Sequence, residues 1–183
     1  MATSANGSFH TGETTVNQTV EWYTPAFIFE ALGLEFDLDP CAAESGDYVP
    51  ALARYTARDD GLSKPWHGRV WLNPPYGPYT PRWLVRLAEH GDGLALVFAR
   101  TDTRWFHAAV GRADLLCFTR RLAFVPGPQQ LEQPGIFAGV APLDRGYATA
   151  GAGSVLLAYG ETCTAALRRS GLGICFRHEQ GAA

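Results

Sequence analysis

The stretch "VWLNPPYG", Val70 to Gly77, places two prolines directly after a short apolar run. Proline has no backbone N–H, so the buried strand that the apolar run predicts has to end at this point. A chain reversal needs one proline at most, and the second proline and the tyrosine require a further explanation. Two fixed φ angles in succession hold the backbone carbonyls in set directions, where they can accept hydrogen bonds from a ligand rather than from a neighbouring strand.

Short apolar strands alternate with short helices along the rest of the chain. "TPAFIFEALGL" predicts a helix with Thr24 as the N-cap residue, Pro25 at the first helical position and Gly33 at its end. "EFDLDP" predicts a strand that ends at Pro40, and "GLALVFA" a strand in the middle of a sheet. This alternation predicts an α/β fold, one compact domain with a central, mostly parallel sheet covered by helices on both sides.

Ligands of such sheets bind beyond the carboxyl ends of the strands. Asp37, Asp39 and Asn73 fall at predicted strand ends, so we expect the functional site there. The four cysteines contain no CxxC pair and the five histidines have no metal-ligand spacing, so reduced thiols and no metal site are expected. The sequence also has no membrane-spanning apolar run and no secretory signal, and a cytoplasmic protein is expected.

The net charge of −3 does not indicate a nucleic-acid partner, but the charges are unevenly distributed along the chain. Residues 1–60 hold ten acids and two arginines, whereas residues 61–183 hold thirteen bases and eight acids. Fourteen of the fifteen bases are arginine, a bias that a GC-rich genome also produces. The acidic part suits a cationic ligand and the arginine-rich part suits phosphates.

Five motifs in one order carry a resemblance to a known family. They are "EWYTP", "FDLDPCA", "DDGL" followed by tryptophan, "VWLNPPYG", and "RLAF" near a late strand. From about Glu21 to Phe124 the chain resembles the small phage-type, Dam-like DNA N-6-adenine methyltransferases. The resemblance implies a Rossmann-like fold that uses S-adenosylmethionine, DNA as the substrate, and a phage or prophage protein acting in a bacterial host.

The resemblance gives Asn73, Pro74, Pro75 and Tyr76 the catalytic role. An adenine amino nitrogen is a poor nucleophile because its lone pair is delocalised into the ring. Hydrogen bonds from both amino protons, to the Asn73 side chain and the Pro74 carbonyl, draw that nitrogen towards tetrahedral geometry. Tyr76 offers a face on which a base taken out of the duplex can stack.

The resemblance assigns the methyl donor to the acidic part of the chain. Asp39 is expected at the ammonium group of the donor, with Asp37 assisting, and Pro40, Cys41 and Asn73 beside them. Most methyltransferases follow this acid with a glycine-rich turn, which "DPCAAES" replaces with small residues. Cys41 stands in a Pro-Cys pair but not in the place of a cytosine-C5 nucleophile, so packing is the expected role. The ribose-binding acid is left open, with Glu44 as one candidate.

Two further segments are expected at the donor. Asp60, or alternatively Asp59, resembles the acid near the donor's adenine, and a plain turn before Gly61 is the competing interpretation. "EWYTP" resembles the segment that folds over the donor, with Trp22 or Tyr23 in contact and Thr24 and Pro25 beside them. A hydrophobic staple next to a helix cap is the alternative for that segment.

Four arginines, Arg100, Arg104, Arg120 and Arg121, are expected at DNA phosphates, with surface solubility as the alternative. Residues 126–152 are expected to form a long loop or hairpin, and its Gln129, Gln130 and Arg145 are candidates for reading bases. Residues 1–20 are expected to be a polar, mobile lead-in, and residues 21–183 one methyltransferase domain without a separate target-recognition domain. A monomer or weak dimer is expected.

Other reactions share the same chemistry. "NPPY" also occurs in enzymes that methylate glutamine, so cytosine N4, an RNA adenine and a protein glutamine stay open as acceptors. A non-catalytic binding module, with donor affinity lost through the altered glycine turn, is the hypothesis from a different class.

Overall fold

The computed structural model describes residues 22–44, 48–126, 148–149 and 152–177. Within them the strands are β1 (Trp22–Tyr23), β2 (Phe36–Asp39), β3 (Ala51–Arg54), β4 (Val70–Leu72), β5 (Gly93–Phe98), β6 (Leu115–Thr119), β7 (Ala123–Pro126), β8 (Ala148–Thr149), β9 (Ser154–Tyr159) and β10 (Gly173–Phe176). The helices of the same residues are α1 (Ala26–Leu32), α2 (Thr80–His90), α3 (Arg104–Val110) and α4 (Glu161–Arg169).

Seven strands form the main sheet, in the order β10-β6-β9-β5-β4-β2-β3. The neighbours from β3 to β5 pair in parallel, whereas β9 is antiparallel to both β5 and β6, and β10 is antiparallel to β6. Five strands therefore run in one direction, and β9 and β10 run in the other. The carboxyl ends of β3, β2, β4, β5 and β6 all lie at one edge of the sheet, which we call the carboxyl edge.

Helices cover both faces of this sheet, as the alternation predicts. One core cluster joins α1 and α4 to the sheet through Phe29, Leu32, Cys163 and Leu167. The other joins α2 and α3 to the opposite face, and its helical members include Trp83, Leu84, Leu87 and Phe106. The amphipathic pattern of each helix accounts for this burial, because its apolar residues recur on one side.

Three aromatic rings fix α1 against the strands that lead to the site. Phe29 of α1 meets the Trp71 ring at 4.7 Å, and Phe36 of β2 meets the same ring at 5.4 Å, both edge to face. Edge-to-face pairs at these distances are favourable beyond the apolar area that they bury. The cluster sets the position of β2 and β4 relative to each other, and each of these strands delivers one of the sequence motifs.

The observed sheets differ from the predicted single, mostly parallel sheet in two ways. Only half of the neighbouring pairs in the main sheet are parallel, because β9 enters between β5 and β6 in the opposite direction. A separate three-stranded sheet, β1-β7-β8, was not foreseen; β7 pairs antiparallel with both of its neighbours. It brings the segment before α1 against the "RLAF" motif.

The start of α1 also differs from the expectation. Pro25 is the N-cap residue, with no side-chain cap, and the helix begins at Ala26. The Thr24 hydroxyl, expected to be the cap, is buried and has no hydrogen-bond partner among the described residues. Residues 127–147 and the first 21 residues lie outside the described part, and with them Gln129, Gln130 and Arg145.

Two leucines on strands give a matched test of this fold. Leu157 on β9 is fully buried between helices and sheet, whereas Leu52 on the edge strand β3 is 84% exposed. Leu157→Ala should lower the free energy of unfolding by about 3 kcal/mol through lost burial and the cavity left behind. Leu52→Ala should change it by less than about 0.5 kcal/mol. Urea denaturation measures both, and equal effects would contradict the central position of β9.

Candidate active site

The motifs "DPC" and "NPPY" meet at the carboxyl edge. Asp39 is the last residue of β2, and Asn73 directly follows β4, its parallel neighbour. Parallel neighbours end at the same edge, so residues 34 positions apart in the sequence become adjacent in the fold. The edge continues through Phe98 at the end of β5 and Thr119 at the end of β6.

Asp39 is a buried carboxylate, with 5% of its surface exposed. Burial raises the pKa of this group to about 7, against 3.8 for a free aspartate, although the Cys41 backbone N–H and the charge of Arg54 act in the opposite direction. Because this pKa is higher in the folded protein than in the unfolded chain, the free energy of unfolding should fall as the pH rises from about 4 to 7. A cation bound beside Asp39 would reduce that fall.

Cys41 connects the two motifs. Its backbone N–H donates to Asp39 Oδ1 at 3.1 Å, and its Sγ lies 3.2 Å from the backbone carbonyl oxygen of Asn73. A carbonyl can only accept, so the thiol is the donor. Burial and the neighbouring carboxylate raise the pKa of the Cys41 thiol well above its usual value, which keeps the proton on sulfur.

Thr80, the first residue of α2, holds the proline turn from the other side. Its hydroxyl donates to the Pro75 carbonyl at 2.9 Å and accepts from the Gly77 backbone N–H at 3.0 Å. Thr80 is 2% exposed, so both bonds form away from water. The turn is thereby fixed at one end by the sheet and at the other by the start of a helix.

These contacts leave two acceptors of the turn available. The Asn73 backbone carbonyl is occupied by Cys41, and the Pro75 carbonyl by Thr80. Within the described residues, no hydrogen bond occupies the Pro74 carbonyl or the Asn73 side-chain amide. These are the two groups that the sequence singles out as acceptors for an amino group.

The Tyr76 ring lies flat against Phe98, with 4.3 Å between centroids and 11° between planes. Its hydroxyl accepts the Phe98 backbone N–H at 2.7 Å, and desolvation of this hydroxyl raises the pKa of Tyr76. One ring face is covered by Phe98, yet 47% of the residue is exposed. The tyrosine is therefore held rigidly while it keeps surface for another planar group.

The segment before α1 lies close to the loop that follows β2. Tyr23 is buried and stacks on Tyr48, with centroids 3.7 Å apart and 8° between planes. Thr24 and Pro25 follow at the start of α1, which leads into the amino end of β2, so they lie near the carboxyl edge. For Trp22 the backbone pairs with Pro126 of β7.

"DDGL" passes directly beside the donor motif. Gly61 packs so closely on Pro40 that a Cβ at this position would overlap the Pro40 carbonyl. Asp59 accepts hydrogen bonds from the Thr56 backbone N–H and hydroxyl at 2.9 and 3.1 Å, which lower its pKa. Asp60 adopts a positive φ of 52° and its side chain is exposed. Asp59 thus closes a turn, and Asp60 is an exposed acid directly before Gly61, the residue that packs on Pro40.

Asp37 and Glu44 have structural partners. Asp37 accepts the Arg69 backbone N–H at 2.6 Å, at the amino end of β4 and so at the far side of that strand from Asn73. Its side chain also packs on Gly68. Glu44 pairs with Arg58 at 3.3 Å on the surface. Neither carboxylate is directed at Asp39 by these contacts.

The arginines expected at DNA all lie at the carboxyl edge. Arg100 follows β5, Arg104 begins α3, and Arg120 and Arg121 follow β6. All four are exposed. They form one side of the edge, next to Tyr76 and Phe98, while the acids lie on the β2 side.

Three contributors to this site were missed from the sequence. The pair Thr80-Pro81 is typical of a helix start. Thr80 also donates a hydrogen bond to the Pro75 carbonyl, and the sequence signal for that bond was the short separation of five residues. Phe98 ends an apolar strand, and only the pairing of β5 with β4 places it beneath Tyr76. For the hydrogen bond of Cys41 to Asn73 the sequence carries no local signal.

The structure also contains a groove that lies apart from the expected site residues. A groove of about 680 Å³ runs along α2, lined by residues such as Trp66, Arg82 and Arg86, and contains none of the expected site residues. In the described ranges no group of three or more histidine, cysteine or acidic side chains is arranged to hold a metal ion. None of the helices found there has the length and apolar character to cross a membrane.

Comparison with known proteins bears on the same region. The family model described as DNA N-6-adenine-methyltransferase (Dam) matches residues 11–147, about three quarters of the 183 residues. No curated protein and no solved structure matches the chain. The matched range contains "DPC", "DDGL", "NPPY" and "RLAF", and it confirms the resemblance seen in the sequence. The chain belongs to the Dam family of DNA N-6-adenine-methyltransferases.

Proposed function

We propose that this protein transfers a methyl group from S-adenosylmethionine to the N6 amino group of an adenine that has been rotated out of DNA. The observation that carries the proposal is the junction of Asp39 and Asn73 at the carboxyl edge through Cys41. It supports a donor site and an acceptor site side by side, as a direct transfer requires. The sheet order supports a Rossmann-like methyltransferase fold, with parallel strands β2 to β5 next to the reversed strand β9.

The residues on the β2 side fit the amino-acid end of the donor. Burial raises the pKa of Asp39 to about 7 in spite of the nearby Arg54 charge, and an ammonium group beside it would favour the ionised carboxylate. The buried Thr24 hydroxyl has no partner in the described chain and would satisfy a donor carboxylate at the start of α1. Asp60, next to Pro40, and the stacked Tyr23 remain proposed contacts, as do Trp22, Pro25 and Asp59. Asp37, held by Arg69, is proposed only as a support of β2.

The residues of the proline turn polarise the acceptor. Asn73 Oδ1 and the Pro74 carbonyl oxygen accept the two amino protons, which localises the nitrogen lone pair. Tyr76, backed by Phe98, gives a rigid face for the adenine ring, so the base completes a stack of three rings. When bound, the donor would supply a methyl group on a cationic sulfur, leaving a neutral thioether, and the methylated nitrogen would release one of its two amino protons to solvent. Pro75 and Thr80 hold this geometry without touching the base.

The test of this function is a transfer assay with isotopically labelled S-adenosylmethionine and unmethylated duplex DNA. The DNA is digested and its nucleosides are identified by mass spectrometry. Labelled N6-methyladenine supports the proposal, and labelled N4-methylcytosine keeps the mechanism but changes the base. Unlabelled DNA together with labelled RNA or protein glutamine would overturn the DNA assignment. Absence of donor binding in calorimetry would favour a non-catalytic binding module.

Asn73→Ala should abolish measurable turnover while it leaves donor binding within about twofold of the wild type. The loss follows because one of the two acceptors for the amino protons is removed, an effect of about 100-fold or more for a comparable donor or acceptor in other enzymes. Single-turnover kinetics and calorimetric titration separate the two quantities. Wild-type turnover in this variant would exclude Asn73 from the chemistry.

Donor binding should depend on pH through Asp39. The ammonium group requires the ionised carboxylate, so the association constant should rise about tenfold per pH unit up to pH 7 and level off above it. Binding at pH 6 should release a proton, which calorimetry in buffers of different ionisation enthalpy detects. Methylthioadenosine, which lacks the amino-acid group, is the matched control and should bind with no such dependence. Equal pH profiles for both compounds would remove Asp39 from the ammonium site.

DNA affinity should depend on the arginines at the carboxyl edge. Arg100→Gln and Arg120→Gln should each weaken binding to any sequence and lower the slope of log affinity against log salt by about 1. Arg112→Gln is the control, because Arg112 follows α3, leads towards the amino end of β6 and lies 4.0 Å from Glu89. Fluorescence anisotropy at several salt concentrations gives the slopes. Equal effects at Arg112 would indicate diffuse charge rather than a binding edge.

A further inference from the structure

We propose that Cys41 is a positioning residue, which sets turnover by donating its thiol hydrogen to the Asn73 backbone carbonyl and so couples the donor site to the catalytic turn. This inference rests on the proposed function. It adds a specific role for a residue that the sequence presents as a small packing side chain. The role depends on two contacts of one residue, one to each half of the site.

The contacts of Cys41 are arranged as a bridge. On one side its backbone N–H binds Asp39 Oδ1, a contact two residues apart that closes the turn after β2. On the other side its thiol reaches the Asn73 carbonyl, 32 residues further along the chain, while the same thiol also lies within hydrogen-bonding reach of the Asp39 carboxylate. Any change in the position of the Asp39 carboxylate is therefore passed to the peptide group of Asn73 through a single residue.

The direction of the thiol contact follows from its chemistry. The carbonyl oxygen has no hydrogen to give, so a 3.2 Å contact is favourable only while sulfur keeps its proton. Burial and Asp39 both disfavour the thiolate. The same conditions argue against Cys41 as a nucleophile, because the thiolate is the reactive form.

Loss of this bond affects Asn73 in two ways. The carbonyl of Asn73 becomes an unsatisfied acceptor, and its peptide plane loses one of the contacts that hold its orientation. In the chain the Asn73 side chain comes directly before this peptide group and the Pro74 carbonyl directly after it, so a change in the peptide orientation moves both proposed acceptors of the amino protons. Such a displacement lowers the rate of the chemical step more than it lowers ground-state binding.

Three variants separate donation from packing. Cys41→Ser keeps a hydroxyl donor, Cys41→Ala removes the donor, and Cys41→Val removes the donor while filling the space. We expect kcat to fall about tenfold in the alanine and valine variants, the size of one lost hydrogen bond to a buried acceptor, and to stay within about threefold of wild type in the serine variant. The dissociation constant of the donor should stay within about twofold in all three.

Cys175→Ala is the matched control. Cys175 is also a partly buried thiol near a carbonyl, 3.9 Å from that of Leu167, but it lies on the edge strand β10. Its removal should leave kcat unchanged. Thermal unfolding of each variant identifies any loss of activity that comes from a loss of folded protein.

A second measurement does not depend on activity. The ¹³C resonance of the Asn73 carbonyl should shift in the alanine and valine variants and return towards its wild-type position in the serine variant. Addition of S-adenosylmethionine should move that resonance in the wild type and move it less in the alanine variant. If the wild type does not methylate adenine in DNA, the proposed function fails, whereas these resonances still decide the coupling.

Three results would overturn the inference. The first is a folded Cys41→Ala protein with wild-type kcat and an unshifted Asn73 carbonyl. The second is restored turnover in Cys41→Val but not in Cys41→Ser, which would make volume the relevant property. The third is an Asn73 carbonyl resonance that does not shift when S-adenosylmethionine is added to the wild type, which would show that the two halves of the site are not coupled.

Discussion

The removal of the Asp39 carboxylate from water is the constraint on which the rest of the site depends. A buried carboxylate is unfavourable unless it is protonated or compensated, and here compensation within the chain is incomplete. The residues that follow Asp39 build the candidate site: Pro40 packs against Gly61, and Cys41 contacts both Asp39 and the carbonyl of Asn73. A neighbouring cation lowers the cost of ionising a buried carboxylate, and this supports the proposal of an ammonium group at Asp39.

Much of the fold could be predicted from the sequence, because the relevant signals are local. A few neighbouring residues are enough to indicate a strand or a helix. Examples are the apolar run before Asn73, the alternation around Phe36 and the periodicity of α2. The strands expected in "EFDLDP", before Asn73 and in "GLALVFA" are present as β2, β4 and β5, and so are the helices that cover both faces of the sheet. The family assignment is confirmed as well, because its motifs keep their order along the chain.

The remaining features depend on contacts between distant residues, which no single sequence pattern records. The entry of β9 between β5 and β6, the stacking of Tyr76 on Phe98 and the bond from Cys41 to Asn73 are all of this kind. The prediction of Thr24 as the N-cap residue was wrong. The pair Thr-Pro favours a cap at the threonine, but the helix begins one residue later and tertiary packing buries the hydroxyl. The roles of the individual site residues, the phage origin and the oligomeric state stay predictions.

The reversed direction of β9 has a consequence for how such a protein can diversify. Because β6 ends at the carboxyl edge and β9 begins there, the chain leaves and re-enters the sheet at the same place, between Thr119 and Ser154. The strands described between these two points, β7 and β8, belong to the smaller sheet, and Leu122 and Phe124 of this stretch pack into the core of the protein. Asn73 follows β4, which lies two strands away from β9 in the main sheet, so changes at the ends of this connection leave the strand that carries Asn73 in place.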